Sequence, residues 1–409
     1  MSNSPTAAEQ IRLSAQQDGV ITDLLKNLPK GATKFVGIIE GPAGSGKTTL
    51  VRRLIEELKR RGHRIILAAP THKAASVLSS KANREVVTIQ SHLEIRPKRM
   101  ADELVFSRVS EKGRQRPKEY LGSKPHTVIV DEASMLGSDI LSYIAEDRER
   151  FKDNYIFVGD RKQINPVNET ITPIFEQRVR IYNLTEIHRQ AAENDNILLS
   201  QNLDWLDDFR DGEYFNWADP IVARDAIVQS WKKGEDARYL AYTNKRVNGA
   251  NLSLRNLIVG ASEPFVSGEI ITMSAPFSRD GRGVSTSEEV AIVKAERTRI
   301  DGIAVTMINE WLPVIEPGDL IRYEREKSRR AQVCRRDRKL WGPVFYGFME
   351  QFAQATYPYA MTVHKSQGST FSDAVIDVSN IKGKCQESME IPRLLYTAIT
   401  RTAGKNLLL

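Results

Sequence analysis

From residue 34 onward, short apolar runs alternate with amphipathic ones. The runs "KFVGIIEG" and "RIILAAPT" have strand length, and each precedes a segment, "KTTLVRRLIEELKRRG" or "HKAASVLSSKA", whose apolar residues recur at the spacing of one helix face. This alternation predicts repeated βαβ units and hence a parallel sheet. Two more buried strands are expected in "TVIVDEAS" and "YIFVGDRKQ". Both end in polar residues at their carboxyl ends, the edge where open α/β sheets hold their ligands.

Residues 93–125 break the rhythm. Rich in Arg, Lys, Pro and Gly, they predict an insertion, read either as a β-hairpin with a basic tip around "EKGRQR" or as a flexible arm. A second α/β region starts near "RYLAYTNKRVNGAN" and resumes at "YAMTVHKSQGSTF" and "AVIDVSN". Between its halves, "GEIITMS", "EEVAIVKAERTRIDGIAVTMI" and "PGDLIRYER" have strand-like content, with Asp301-Gly302 as a tight-turn signal. The expected class is α/β in two domains, each carrying an insertion. Residues 1–92 and 126–195 form the first around 93–125; residues 196–255 and 356–409 form the second around a β-rich 256–355.

Composition adds bounds. With 409 residues and 41% hydrophobic content the chain can bury more than one core. Its 59 Lys and Arg against 52 Asp and Glu leave a mild surplus of +7, compatible with a polyanionic partner, and "KSRRAQVCRRDRK" is its one strong charge block. Cys334 and Cys385 lie far apart without a CxxC pair, so neither a disulfide framework nor a structural zinc site is expected, and a reducing cytoplasm fits. None of the six histidines falls into HExxH, so no metal held by side-chain nitrogen is expected. "MSNSPTAAEQ" lacks a basic flank followed by an apolar core, and no stretch approaches the ~20 apolar residues of a membrane span. A soluble, unexported chain without a membrane partner is expected.

The chemistry begins at "GPAGSGKT", residues 41–48, which matches G-x-x-x-x-G-K-[ST] between an apolar run and an amphipathic helix. Gly41, Gly44 and Gly46 let backbone amides approach phosphates, and Pro42, Ala43, Ser45 and Thr49 complete the cradle. Lys47 would reach the β and γ oxygens, and Thr48 would hold Mg²⁺. The acidic strand end of "VIVDEASML" belongs to the same ATP site. Asp131 would complete the Mg²⁺ shell, and Glu132 would orient and deprotonate the attacking water.

"FVGDRKQINPV", with Gly159, Asp160 and Gln163, resembles motif III of superfamily 1 helicases. A DEAD-box protein carries Ser-Ala-Thr in that role, so "DEAS" is not read as a DEAD box. In order along the chain, "LSAQQ" resembles the adenine-reading glutamine motif, "LAAPTHKAA" motif Ia, "TIQSHL" the short motif after it, "LTEIHRQ" motif IV, "MTVHKSQGSTF" motif V and "YTAITR" motif VI. The set resembles the RecD and Dda type of superfamily 1B helicase.

This resemblance implies two RecA-like P-loop domains with ATP at their seam and single-stranded DNA crossing their top. Gln17 would read adenine, Gly368 would belong to the nucleotide site, Gln163 would sense the γ-phosphate, and Arg189 and Arg401 would meet it from across the cleft. Pro70, Thr71, His72, Ser91, His92, Asn244, Thr362, His364 and Lys365 would grip the DNA backbone. The first insertion would be a strand-separating pin and the second an SH3-like brace. A monomeric ATP-dependent 5′ to 3′ DNA helicase of phage-type replication or recombination is implied. It would work on single-stranded and forked DNA in the cytoplasm, the host's if phage-encoded, with a single-strand-binding or replisome protein as candidate partner. Two alternatives stay open: an RNA-directed helicase of the same superfamily, and an NTP-controlled nucleoprotein remodeller that does not unwind.

Overall fold

The apolar runs of the first half become parallel strands because both faces of their sheet are covered. The computed structural model describes residues 13–28, 34–100, 103–109, 126–166, 169–188, 195–201, 203, 215–387 and 389–409. Its first strands are β1 (Val36–Glu40), β2 (Arg64–Ala69), β3 (Val87–Thr88), β4 (Ile95–Met100), β5 (Glu103–Arg108), β6 (His126–Val130), β7 (Asn154–Gly159) and β8 (Arg180–Asn183). Six of them form a parallel sheet in the order β3-β2-β6-β7-β1-β8. Neighbouring strand residues point to opposite faces. Ile39, Ile129 and Ile156 therefore pack on the helix Lys47–Arg60 through Leu50, Leu54 and Leu58, while Ile38, Val128 and Tyr155 meet Ile140 and Ile144 of the helix Ser138–Phe151.

Within the first expected insertion, β4 and β5 pair antiparallel from Ile95 opposite Arg108 to Met100 opposite Glu103. A hairpin is present, and its paired residues are 95–100 and 103–108. The basic stretch "EKGRQR" lies outside the described residues.

The second half opens with β9 (Phe215–Trp217) and β10 (Ala237–Ala241). Small antiparallel sheets follow, made of β11 (Ile270–Met273), β12 (Phe277–Arg279), β13 (Arg282–Val284), β14 (Glu289–Ala291), β15 (Ala295–Ile300), β16 (Ile303–Ile308), β17 (Leu312–Ile315) and β18 (Ala355–Thr356). As expected, Asp301 and Gly302 turn β15 into β16. Ile300 faces Ile303, and both turn residues have positive φ (48° and 77°). The chain then returns through β19 (Ala360–Thr362), β20 (Asp373–Ile376) and β21 (Asn406–Leu408) to a second parallel sheet, β19-β10-β20-β21-β9.

One expectation is corrected. "PGDLIRYER", read as strand-like, enters the 17-residue helix Leu320–Arg336. Within "PGDLIRYER" the only buried apolar residue is Tyr323, while Leu320 and Ile321 stay exposed at 39% and 71%. A helix gathers Tyr323, Lys327, Arg330 and Cys334 onto one face, which no strand can do.

By contacts the chain forms two units. Unit 1 is Met1–Tyr214, Gln367–Ser369 and Gln386–Arg401; unit 2 is Phe215–Ser366, Thr370–Cys385 and Thr402–Leu409. The helix Ile391–Ile399 thus belongs with unit 1, although the strands on either side of it in sequence, β20 and β21, lie in unit 2.

Candidate nucleotide and strand-binding sites

After β1 the chain turns through Gly44 (φ 80°) and Gly46 (φ 73°) into the helix Lys47–Arg60. Positive φ suits glycine, and Gly46 is further constrained. A Cβ there would lie 2.4 Å from Gln17 Nε2 and 2.6 Å from His188 Nε2. At Gly41 a Cβ would meet Ser45 Oγ at 2.6 Å. The first-turn amides, Thr48 and Thr49 included, have no partners inside the helix and carry its positive dipole end, so the loop is built for an anion. Lys47 Nζ donates to the carbonyls of Gly41 (2.6 Å) and Pro42 (2.9 Å). Buried Ser45 donates to Pro42 as well, at 2.8 Å.

Gln17 sits on the helix Ala15–Asn27, whose start is fixed by a capping box with Ser14. Its buried amide donates to Ser45 O at 3.0 Å and lies 2.7 Å from His188 Nε2. His188 also donates its backbone N–H to Gly44 O at 3.3 Å. Sequence reasoning passed over it although it adjoins Arg189 in "EIHRQ". Arg189 itself lies outside the described residues.

Asp131 follows β6 and accepts the N–H of Glu132 at 2.9 Å. Burial, then the neighbouring Glu132 charge, holds its carboxyl above the ordinary aspartate value, with Lys47 and Lys81 pulling the other way. Glu132 adopts the left-handed conformation (φ 49°), a strain that places Oε1 3.5 Å from Arg401 Nη1. Arg401 is buried just past the helix Ile391–Ile399.

That helix contributes a residue the sequence did not single out. Tyr396 donates its hydroxyl to Asp160 at 2.5 Å and accepts the N–H of Ala43 at 2.8 Å, joining the P-loop to the acid after β7. Burial first, then Asp160, pushes its phenol far above the usual range. Arg393 donates to the backbone oxygens of Arg161 (2.6 Å) and Gln163 (2.9 Å). Gln163 is buried, and neither its Oε1 nor Arg401 Nε has a hydrogen-bond partner among the described residues. Orphaned buried polar atoms are costly, and they fit a site whose remaining partner is a ligand. Together with the positive-φ glycines, Lys47, Thr48 and Asp131, they fit a nucleotide triphosphate with its metal.

Gly368 (φ 72°) lies against the helix His72–Ala82, where a Cβ would sit 2.9 Å from Ala74 Cβ. Pro70 and Thr71 lie where β2 meets that helix; Thr71 Oγ1 accepts Ala74 N–H at 3.2 Å, and His72 is exposed. Ser91 is exposed, whereas His92 is buried with Nε2 3.4 Å from the Tyr155 hydroxyl. In unit 2, Asn244 starts the helix Asn244–Ile258 after β10, Thr362 ends β19 and accepts Lys365 N–H at 3.4 Å, and Lys365 is exposed. The His364 ring lies 5.9 Å from that of Tyr242, another residue the sequence did not flag.

Two family models match this chain: an AAA domain over residues 12–207 and a UvrD-like helicase C-terminal domain over residues 357–409. The ATP-dependent DNA helicase dda of Enterobacteria phage T4 is 29% identical across 89% of this chain and 92% of its own. The ATP-dependent DNA helicase Pif1 of Bdellovibrio bacteriovorus is 24% identical across 94% and 86%. The chain belongs to the superfamily 1B helicases. A solved structure of Bacteroides Pif1 helicase, in complex with ADP-AlF3 and ssDNA, superposes on this helicase with TM-score 0.53 at 17% identity, covering 97% and 92% of the two chains. That likeness is one of fold. Among the described residues of the helicase no helix is long and apolar enough to cross a membrane.

Proposed function

We propose that this helicase is an ATP-dependent DNA helicase that moves 5′ to 3′ along single-stranded DNA and opens forked duplexes in phage-type replication or recombination. The observation carrying the hydrolytic reading is the Glu132–Arg401 contact, together with the orphaned Gln163 Oε1, all in the unit that holds the P-loop. Thr48 and Asp131 would hold Mg²⁺, which supplies charge neutralisation on the phosphate oxygens. Lys47 would exchange two backbone carbonyls for those oxygens. Glu132 orients the attacking water and takes its proton, and Arg401, with Arg189, stabilises charge on the γ-phosphate. Gln17 and His188 hold the rim of the loop.

Pro70, Thr71, His72 and Ser91 in unit 1 and Asn244, Thr362, His364 and Lys365 in unit 2 are the strand-gripping set, and His92, buried against the Tyr155 hydroxyl, supports their loop from within. They stand near carboxyl strand ends, and their hydroxyl, imidazole, amide and ammonium groups suit a backbone that all sequences share. The hairpin β4–β5 is the strand-separating pin. The motor acts as a cytoplasmic monomer with a single-strand-binding or replisome protein beside it.

Strand displacement with ATP and Mg²⁺ on duplexes bearing a 5′ tail, a 3′ tail or no tail tests the reading. Unwinding from the 5′ tail alone is expected. Unwinding from the 3′ tail would overturn the polarity, and DNA-stimulated ATPase without any unwinding would favour a remodeller. RNA oligomers that stimulate the ATPase better than DNA would move the substrate to RNA.

A further inference from the structure

The charge block left aside by the nucleotide and strand-binding sites lies in the helix Leu320–Arg336 and the turn after it. Residues 320–339 carry nine Lys or Arg against three Asp or Glu, a surplus of six in a chain whose total surplus is seven. The helix splits these charges by face. Inward, Tyr323 stacks on Phe348 and Arg330 lies over Phe348 at 4.2 Å while pairing with Glu326 and Asp301. Outward, Arg322, Arg325, Arg335, Arg336 and Lys339 are exposed and form no ion pair among the described residues. An open depression of about 570 Å³ runs along Ile321, Glu324, Arg325, Ser328, Arg329 and Gln332 of this outer side, where Glu324 is paired with Lys327 and Arg329 with Glu326.

We propose that this face is a second nucleic-acid site, which holds the phosphate backbone of duplex DNA apart from the single strand the motor tracks. Five such cations, four along ~21 Å of helix and Lys339 in the turn after it, match a polyanion of regular, dense charge. A site for a single strand would add to such backbone contacts aromatic platforms for its unstacked bases. The nearby aromatics do not offer one: Trp341, Phe345 and Tyr346 pack on one another at centroid distances of 4.9, 5.3 and 6.1 Å, and only Tyr346 is exposed. Contact through phosphates alone suits a duplex, whose bases are already stacked. The inference rests on the proposed DNA reading only in naming the polyanion.

The test uses the full chain, as wild type, as R325Q/R335Q/R336Q and as R325K/R335K/R336K, none of which alters a buried residue. Anisotropy would follow a labelled blunt duplex, an oligothymidylate and a polyglutamate peptide across a salt series. The Gln variant should bind the duplex at least ~10-fold more weakly, with the slope of log K against log salt reduced by about 2.7, three contacts at ~0.9 each. Its single-strand affinity and single-strand-stimulated ATPase should stay within about twofold of wild type, and the Lys variant should keep the wild-type salt slope. Unchanged duplex affinity in the Gln variant would overturn the proposal. So would equal weakening for the single strand, or tighter binding of polyglutamate than of duplex by wild type, which would mark an acidic-protein surface. Wild type lacking strand-stimulated ATPase would instead sink the motor reading and leave the duplex comparison intact.

Discussion

A single hydroxyl, that of Tyr396, ties the amide of Ala43 to the carboxylate of Asp160 across 353 and 236 positions of sequence. Tyr396→Phe keeps the ring and strands both partners in a buried site. It should destabilise unit 1 by about 1–3 kcal/mol, read as an earlier urea transition, and raise the KM for ATP. An unshifted transition would mean that water takes over both bonds. Lys47→Ala should lower ATPase turnover by at least ~100-fold with the circular dichroism of a folded chain, because the triphosphate loses its ammonium. Normal turnover would remove the ATPase assignment. The two residues differ in legibility for a physical reason. Lys47 is announced by glycines within six positions of it, whereas the role of Tyr396 exists only once distant segments have met.

At the scale of elements, the strands and helices around the P-loop were legible because apolar period and turn chemistry agree locally, as they do again at Asp301-Gly302. The helix Leu320–Arg336 was not, because its inward face is one tyrosine, one cysteine and the stems of Lys327 and Arg330, too few apolar residues to show a helical period. Another element-level device is the network that joins β10, β20 and the helix Asn244–Ile258. Asp377 accepts from Tyr239 at 2.5 Å and from Arg246 at 2.6 Å. Burial pushes its carboxyl upward, but hydrogen bonds from Tyr239, Ser379, Asn380 N–H and Arg246 outweigh it and leave the carboxyl below its ordinary value. The resulting stability is fully present above the unfolded aspartate pKa of about 3.9 and is lost as pH falls through the lower folded one. Asp377→Asn should be less stable than wild type at neutral pH, and its urea midpoint should fall less steeply below about pH 4. Parallel acid profiles for the two proteins would assign the acid sensitivity elsewhere.

For the whole molecule, the path of the chain carries a mechanical consequence. It leaves unit 2 after Cys385, contributes Tyr396 and Arg401 to the unit that holds the P-loop, and re-enters unit 2 at Thr402. Arg401 is therefore separated by one peptide bond from Thr402, whose hydroxyl donates to Asn406 at the start of β21. On the incoming side Gln386 follows directly on the helix Val378–Lys384 and Cys385. If Arg401 meets the γ-phosphate as proposed, a displacement of it would be passed to the second sheet through short covalent links, without requiring a separate lever. Loosening one link should separate hydrolysis from work. Insertion of two glycines between Cys385 and Gln386 adds backbone freedom where no catalytic side chain stands. Strand-stimulated ATPase should remain within about threefold of wild type, since the Glu132–Arg401 arrangement is assembled inside unit 1, while unwinding of a 5′-tailed duplex should slow by about tenfold as the coupling slackens. Equal loss of both activities would show that the insertion disrupts the site itself, and unchanged unwinding would place the coupling in the outgoing link at Thr402.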